Sequence, residues 1–449
     1  MVEGRVVSMR FDPNRVAGLP VSDGPSGPRS VPPSAAGRVQ NTDDGEIDRL
    51  AAFAVDDIED YWQQHYQPLP GVFSPVSGLS SVDPDTTRPK VCGVDPEEFA
   101  FNAAYCRRPD VIAWDRVDLL PIAARFFGEM AVSGVLAHEY GHALQRKAGL
   151  TDENTPLLVS EQQADCLSGV YLRWVADGQS PRFQMNTTDG LDKVLAGAIA
   201  IRDRPLEFNP FGLIPEEESH GTALDRVSAF QQGFDLGAAS CTRITMADID
   251  QRRGDIPAAL FDPAGTRSDM PITEATLSAL FDELNTIFSP AQPPRLQVGM
   301  SCANGPAAYC PASNTVGVDL DALEQIGTPA SESQRVLLQG DNSAISVVTS
   351  RYMLALQNQR GATLDGHTAA MRTACLTGVA QSKMADPALT GGRLVLGAGD
   401  LDEAVSGLLT NGIAASDAAG VSVPSGFTRI LAFRTGLSGD PQRCYRLFE

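Results

Sequence analysis

Histidine is nearly missing from this chain, with five among 449 residues, so two of them one helical turn apart are informative. Basic residues are also short. The 35 Lys and Arg against 56 Asp and Glu leave a formal charge of −21, which repels nucleic acid and anionic lipid from the average surface. Nucleic acid is therefore not expected as a partner. No apolar run approaches the roughly 18 residues of a membrane span, so no transmembrane segment is expected either. No C-x-x-C pair occurs among the eight cysteines, a pattern that suggests disulfides and hence an oxidising compartment. No secretory signal is visible at Met1. The two readings agree if an export leader has been removed, with room for a lipid anchor on a full-length precursor; the bland alternative is a cytosolic chain with eight free thiols.

What is present is a globular composition, 43% hydrophobic and 20% charged, in a chain long enough for two or three units. The most informative stretch is AVSGVLAHEYGHALQRKAGL, 131 to 150. Val132, Val135, Leu136, His142 and Ala143 fall at helical spacing, and Gly149 can take the left-handed conformation that ends a last turn. Residues four apart share a helix face, so His138 and His142 can bind one zinc ion while Glu139 flanks a metal-bound water. A bare H-E-x-x-H also arises through packing or surface charge, and Tyr140, turned away from His138, reads as packing.

A second helix is expected in LLVSEQQADCLSGVYLRWVADG, through Leu158, Gln162, Cys166, Val170 and Trp174. It carries Glu161 and Asp165 on one face. Zinc held by two histidines needs a third protein ligand and an open position, and Glu161 fits the first need. Asp165 can accept a hydrogen bond from the far nitrogen of a ligating histidine and fix its tautomer. The competing reading is a solvated acidic face.

HEYGHALQ, then EQQADCLSGV, then HGTALDRVSAFQQGF, together resemble the putative neutral zinc metallopeptidases of bacteria, a gluzincin-type family of zincins, over about residues 46 to 241. Mycobacterial and related actinobacterial envelope lipoproteins with peptidase-like domains are similar. The resemblance implies His138, His142 and Glu161 as ligands of one Zn2+ per chain and Glu139 as the catalytic carboxylate, acting on a peptide or protein substrate. His220, in SHGTALDR, is a candidate oxyanion donor, with a surface histidine as the alternative.

The first 45 residues, rich in Pro, Gly and Ser, read as a disordered or tethering arm. Helical spacing starts in EIDRLAAFAVDDIEDYWQQHY, where His65 reads as a surface or capping residue, and a β-type run is expected at Val111 to Trp114. Residues 46–242 form the expected catalytic domain, and 243–271 a linker with one short helix. Arg253, Gly254 and Asp255 in that linker are too short a motif to argue adhesion.

Residues 272–449 read as a second copy of the domain. AAYCPASNTVGVDLDAL parallels AAYCRRPDVIAWDRVDL, SVVTSRYMLALQNQRG parallels GVLAHEYGHALQRKAG, and ACLTGV parallels DCLSGV. Leu401 matches Leu191, and 428–444 aligns without a gap on 225–241. In the copy Ser350, Arg351, Leu354, Ala370, Ala374 and Val423 stand for His138, Glu139, His142, Glu161, Asp165 and His220, so the site chemistry is lost. His367 there has no ligand-type partner in register.

Equivalent cysteines should pair equivalently: Cys92 with Cys106, Cys166 with Cys241, Cys302 with Cys310 and Cys375 with Cys444. The expected class is α+β, predominantly helical, a zincin-like domain followed by a degenerate repeat. Two functions remain: an exported zinc endopeptidase of the cell envelope, or a binding or scaffold protein whose site is structural or idle.

Overall fold

The computed structural model describes residues 11–30, 38–200, 220–253, 270–299, 302, 305–328, 337, 339–390, 394, 396, 398–437 and 439–449. Helices dominate and the sheets are small, a mixed α/β architecture. Among the described residues no helix is long and apolar enough to cross a membrane.

Four two-residue strands open the chain: β1 (Arg15–Val16), β2 (Leu19–Pro20), β3 (Gly27–Pro28) and β4 (Val39–Gln40). The expectation of a disordered arm is thereby corrected for residues 11–30 and 38–45, which dock on the body; residues 1–10 and 31–37 lie outside the described residues. Val16, Leu19 and Val39 are buried, and the Arg29 guanidinium donates to the Ser180 and Phe183 carbonyls. Two residues cannot display a hydrophobic period, so a turn-rich composition concealed these strands.

Helix α1 (Glu46–His65) lies against a sheet completed by β5 (Gly78–Val82), β6 (Ala103–Cys106) and β7 (Val111–Asp115). Its order is β4-β5-β7-β6, parallel except for the antiparallel edge strand β6. The expected run is β7, buried throughout, and Trp114 Nε1 on it donates to Asp48 of α1 at 2.9 Å. His65 ends α1, its ring against the Tyr61 carbonyl.

Helix α2 (Leu119–Phe127) leads into α3 (Glu129–Ala148), which holds the H-E-x-x-H segment. Gly149 closes α3 in the left-handed region at φ 64°, and the Leu150 N–H returns to the Gln145 carbonyl at 2.9 Å. Helix α4 (Leu157–Ala176) follows, then β8 (Phe183–Gln184) paired with β3, α5 (Asp189–Ala200) and α6 (Ala223–Leu236). Backbones of α4 and α6 touch. A Cβ on Gly233 would stand 1.8 Å from the Cys166 carbonyl oxygen, and one on Gly169 2.2 Å from that of Phe230.

The expected linker begins with α7 (Met246–Arg253), the short helix anticipated there. Its start is not a free connector, because Arg253 is buried and grips Asp225 with two nitrogens at 2.8 and 2.6 Å. Residues 254–269, with Gly254 and Asp255, lie outside the described residues.

The second half runs α8 (Glu274–Phe288), β9 (Arg295–Val298), β10 (Ala307–Cys310), β11 (Thr315–Val318), α9 (Leu320–Ile326), α10 (Asp341–Gln359), α11 (His367–Met384), α12 (Ala398–Thr410), α13 (Gly426–Leu437) and α14 (Pro441–Leu447). Helices α11 and α13 meet as α4 and α6 do: Cβ atoms on Gly436 and Gly378 would stand 1.9 and 2.1 Å from the carbonyl oxygens of Cys375 and Phe433. The four disulfides are Cys92–Cys106, Cys166–Cys241, Cys302–Cys310 and Cys375–Cys444, the pairing expected from the sequence, and no cysteine is free. One hydrophobic core runs through both halves, with Phe234 and Phe427 in ring contact at 5.1 Å.

Candidate metal centre

His138 and His142 stand on α3 and Glu161 on α4, and one ligand atom from each lies within 4.8 Å of the others. His138 and Glu161 are buried, and His142 is partly so. The imidazole rings are perpendicular with centroids 4.9 Å apart, the separation that one helical turn imposes. Their Nε2 atoms meet the two oxygens of one carboxylate: His138 Nε2 is 3.1 Å from Glu161 Oε2 and His142 Nε2 is 3.3 Å from Oε1.

The far nitrogens are both engaged. His138 Nδ1 lies 2.7 Å from Asp165 Oδ1, and a carboxylate can only accept, so Nδ1 carries the hydrogen. His142 Nδ1 lies 2.9 Å from Gln145 Oε1, while Gln145 Nε2 donates to the Ser160 carbonyl at 2.6 Å, which fixes the amide with its oxygen toward the ring. Each Nε2 therefore presents a lone pair to a carboxylate oxygen that also has only lone pairs. Acceptors facing acceptors in a buried site need a shared cation, and a divalent metal or a proton meets that need. The donor set of two imidazoles and one carboxylate is that of zinc sites with an open position, so these residues fit the ion.

The electrostatics point the same way. Burial opposes charge on His138, but Asp165 and Glu161 outweigh it and raise its pKa to about 10 when no metal competes for the nitrogen. Burial likewise opposes ionisation of Glu161 and Asp165, yet both are held below the ordinary carboxylate range, Glu161 by the two histidines and Asp165 by Arg226 and His138. Glu139 behaves differently. Burial raises its carboxyl over the opposing pull of His138 and His142, and its Oε2 accepts the Tyr105 N–H of edge strand β6 at 2.9 Å.

Arg226 on α6 went unnoticed in the sequence although it lies inside the HGTALDR block. It is buried, donates to Asp165 Oδ1 at 2.8 Å and approaches His138 Nδ1 at 3.4 Å. Gln145 was missed too; it lies three residues after His142, a spacing that could have drawn notice as a side-chain pair on one helix face. Tyr140 is buried with its hydroxyl 3.3 Å from Glu59, in line with packing. His220 is exposed and outside the ligand cluster. Its neighbour Gly221 presses on α4, where an added Cβ would stand 3.0 Å from Leu158 and 3.2 Å from Gln162, the residue after Glu161.

In the second half, Ser350, Arg351, Leu354, Ala370, Ala374 and Val423 are all buried. The Arg351 guanidinium donates to the Asp417 carbonyl and Ser416 Oγ, so a cation stands at the position aligned with Glu139. A second acidic cluster among the described residues, Asp341, Asp400 and Glu403, surrounds the start of α10. There Glu403 accepts the Asn342 N–H in the first turn of α10, the use expected of a carboxylate at a helix N-terminus, and Asp341 accepts the Met270 N–H from the segment before α8.

A family model described as "Putative neutral zinc metallopeptidase" matches residues 6–244, more than half of the chain. The uncharacterized protein YpfJ of Escherichia coli strain K12 is 33% identical over 125 residues, 24% of this chain and 42% of that protein. The uncharacterized protein Rv2575 of Mycobacterium tuberculosis strain H37Rv is 26% identical over 200 residues, 40% of this chain and 66% of that protein. The chain thus spans less than half the length of the first relative. No solved structure matches.

Proposed function

The chain belongs to the putative neutral zinc metallopeptidase family, and from that premise we propose that it is a zinc-dependent peptidase acting through His138, His142, Glu161 and Glu139. The observation that carries this reading is the convergence of two imidazole lone pairs on both oxygens of one buried carboxylate. Bound zinc would supply the charge that lowers the pKa of a water toward about 7 and polarises a peptide carbonyl.

The protein's own groups do the rest. Asp165 and Gln145 hold the two rings with Nε2 toward the Glu161 carboxylate, so that the three side chains would hold the ion together. Glu139 takes one proton from the water as its oxygen bonds to the carbonyl carbon, and returns that proton to the amide nitrogen as the C–N bond breaks. The burial that raises its carboxyl suits a group that must hold the proton between these steps. His220, beside the loop that presses on α4, serves as a donor to the developing oxyanion.

The matched order of elements, the paired glycines and the matched disulfides support a duplicated domain, with 46–242 catalytic and 272–449 a degenerate copy. Four disulfides fit an exported protein of the cell envelope. The test is metal analysis with peptide hydrolysis: one zinc per chain, lost in His138→Ala, and activity abolished in Glu139→Gln with zinc retained. Two zinc ions per chain, or full activity in Glu139→Gln, overturns the reading; partner binding that ignores zinc would favour the scaffold.

A further inference from the structure

The two halves cap each other's helices. Asp192 on α5 accepts the Gly426 N–H that starts α13, at 2.8 and 3.0 Å to its two oxygens. Asp402 on α12 accepts the Ala223 N–H that starts α6, at 2.9 Å. When the halves are aligned, Asp192 falls on Asp402 and Ala223 on Gly426, so the two contacts are reciprocal, each joining the same pair of aligned positions from opposite halves. Such a reciprocal exchange is the mark of isologous packing, here within one chain. Each carboxylate satisfies an N–H that a first turn leaves unpaired and lies at the positive end of the helix. Gln231 and Arg434, also matched, each reach across to the other half, though to carbonyls that are not matched: Gln231 donates to that of Phe427 at 2.7 Å and Arg434 to that of Ser228 at 3.1 Å.

Beyond the caps the symmetry ends. On α6, Thr222 and Asp225 form a reciprocal capping box, and Arg226 follows one position later with its contacts to Asp165 and His138. On α13 the matching Arg429 donates, among the described residues, to the carbonyls of Val423, Leu408 and Pro424, and it attracts the capping Asp192 itself. A cap on α13 therefore holds a helix, whereas a cap on α6 holds a helix whose first turn carries the arginine of the metal centre.

We propose that Asp402, from the second half, is a positioning residue for the metal centre: by capping α6 it fixes Arg226 against Asp165 and so the ring of His138. This rests on reading His138, His142 and Glu161 as the zinc site. It gives the second half a role that needs no ligand of its own. If the first turn of α6 loosens, the guanidinium leaves Asp165, and the carboxylate that orients His138 loses its second partner.

The internal symmetry supplies the control. In the full-length chain, Asp402→Ala and Asp192→Ala each remove one of the two matched caps, and zinc affinity is read by competition with a chromophoric chelator. Asp402→Ala should raise the zinc Kd about tenfold and Asp402→Asn, which keeps an acceptor oxygen, should restore most of it, while Asp192→Ala stays within about twofold of wild type. Asp402→Glu, which displaces the charge by one methylene, should give an intermediate loss, so the result does not depend on how the alanine variant folds. Equal effects of the two alanine variants, or an unchanged Kd in Asp402→Ala, overturn the proposal. The Nδ1–H proton resonance of His138 in metal-free protein separates the two readings. If wild type binds no zinc, the zinc site falls, and loss of that resonance in Asp402→Ala but not in Asp192→Ala still upholds the cap, whereas its persistence in both removes it.

Discussion

His138 Nδ1 lies 2.7 Å from Asp165 Oδ1, and that one contact decides which ring nitrogen faces Glu161. The aspartate is itself held by Arg226 at 2.8 Å, so the imidazole on α3 is oriented by two charged groups in series, contributed by α4 and α6. Asp165→Asn can present an amide N–H instead of an acceptor, which would favour the wrong tautomer. Zinc affinity should fall about 10- to 100-fold with the fold intact. Isothermal titration of zinc into wild type and variant, with circular dichroism as the fold check, decides this; equal affinities return Asp165 to a structural acid.

His220→Ala should lower kcat about 100-fold with zinc content unchanged if the imidazole donates to the oxyanion. Zinc loss in that variant would make His220 a ligand instead. Unchanged kcat would leave it as exposed surface, the state in which the side chain is found.

Asp192 carries the pH dependence of the contact between the halves. Burial pushes its carboxyl up to about 7, over the opposing pull of Arg429 and the N–H groups of Gly426 and Phe427, with Asp189 adding repulsion. A carboxyl whose pKa is higher in the folded chain than in the unfolded one stabilises the fold most below the unfolded value near 3.8, and that stability is lost as pH rises through about 7. Urea denaturation of wild type should therefore weaken between pH 5 and pH 8 relative to Asp192→Asn, by on the order of 2 kcal/mol. Parallel pH profiles for the two proteins would rule Asp192 out.

Gly233→Ala should be among the most damaging single-methyl changes available. The new Cβ would stand 1.8 Å from a backbone carbonyl of α4, where no side chain can swing away, and the helix that carries Glu161 would have to shift. A loss of roughly 3 kcal/mol or more is expected, with weakened zinc binding in the protein that does fold. Gly436→Ala should destabilise by a similar amount, since its Cβ would stand 1.9 Å from the Cys375 carbonyl oxygen, but leave zinc affinity unchanged in folded protein. Normal stability in either variant would mean that the helix pair can separate cheaply.

Local geometry made part of this legible in advance. Four residues is one turn, so H-E-x-x-H on a helical pattern placed His138 and His142 on one face before any packing was known, and the same spacing paired Glu161 with Asp165. Repetition helped with the disulfides: eight cysteines allow 105 pairings, and matching the two halves narrowed these to a few patterns, one of which is the set of four bridges that form. The two-residue strands between Arg15 and Gln40 escaped notice because none is long enough to show a pattern of its own: β1 and β2 pair with each other, while β3 and β4 are completed by β8 and β5 elsewhere in the chain.

Arg226 and Asp402 show what only the tertiary structure decided. Arg226 reaches an aspartate 61 positions away, and Asp402 caps a helix 179 positions away. Nothing within a few residues of either side chain encodes its partner. Backbone spacing determines which face of a helix a residue occupies, but what that face meets depends on how α4 and α6 close over their glycines and how the two halves dock. That is why the ligand-type residues could be read from the sequence, while the groups that hold them in place could not.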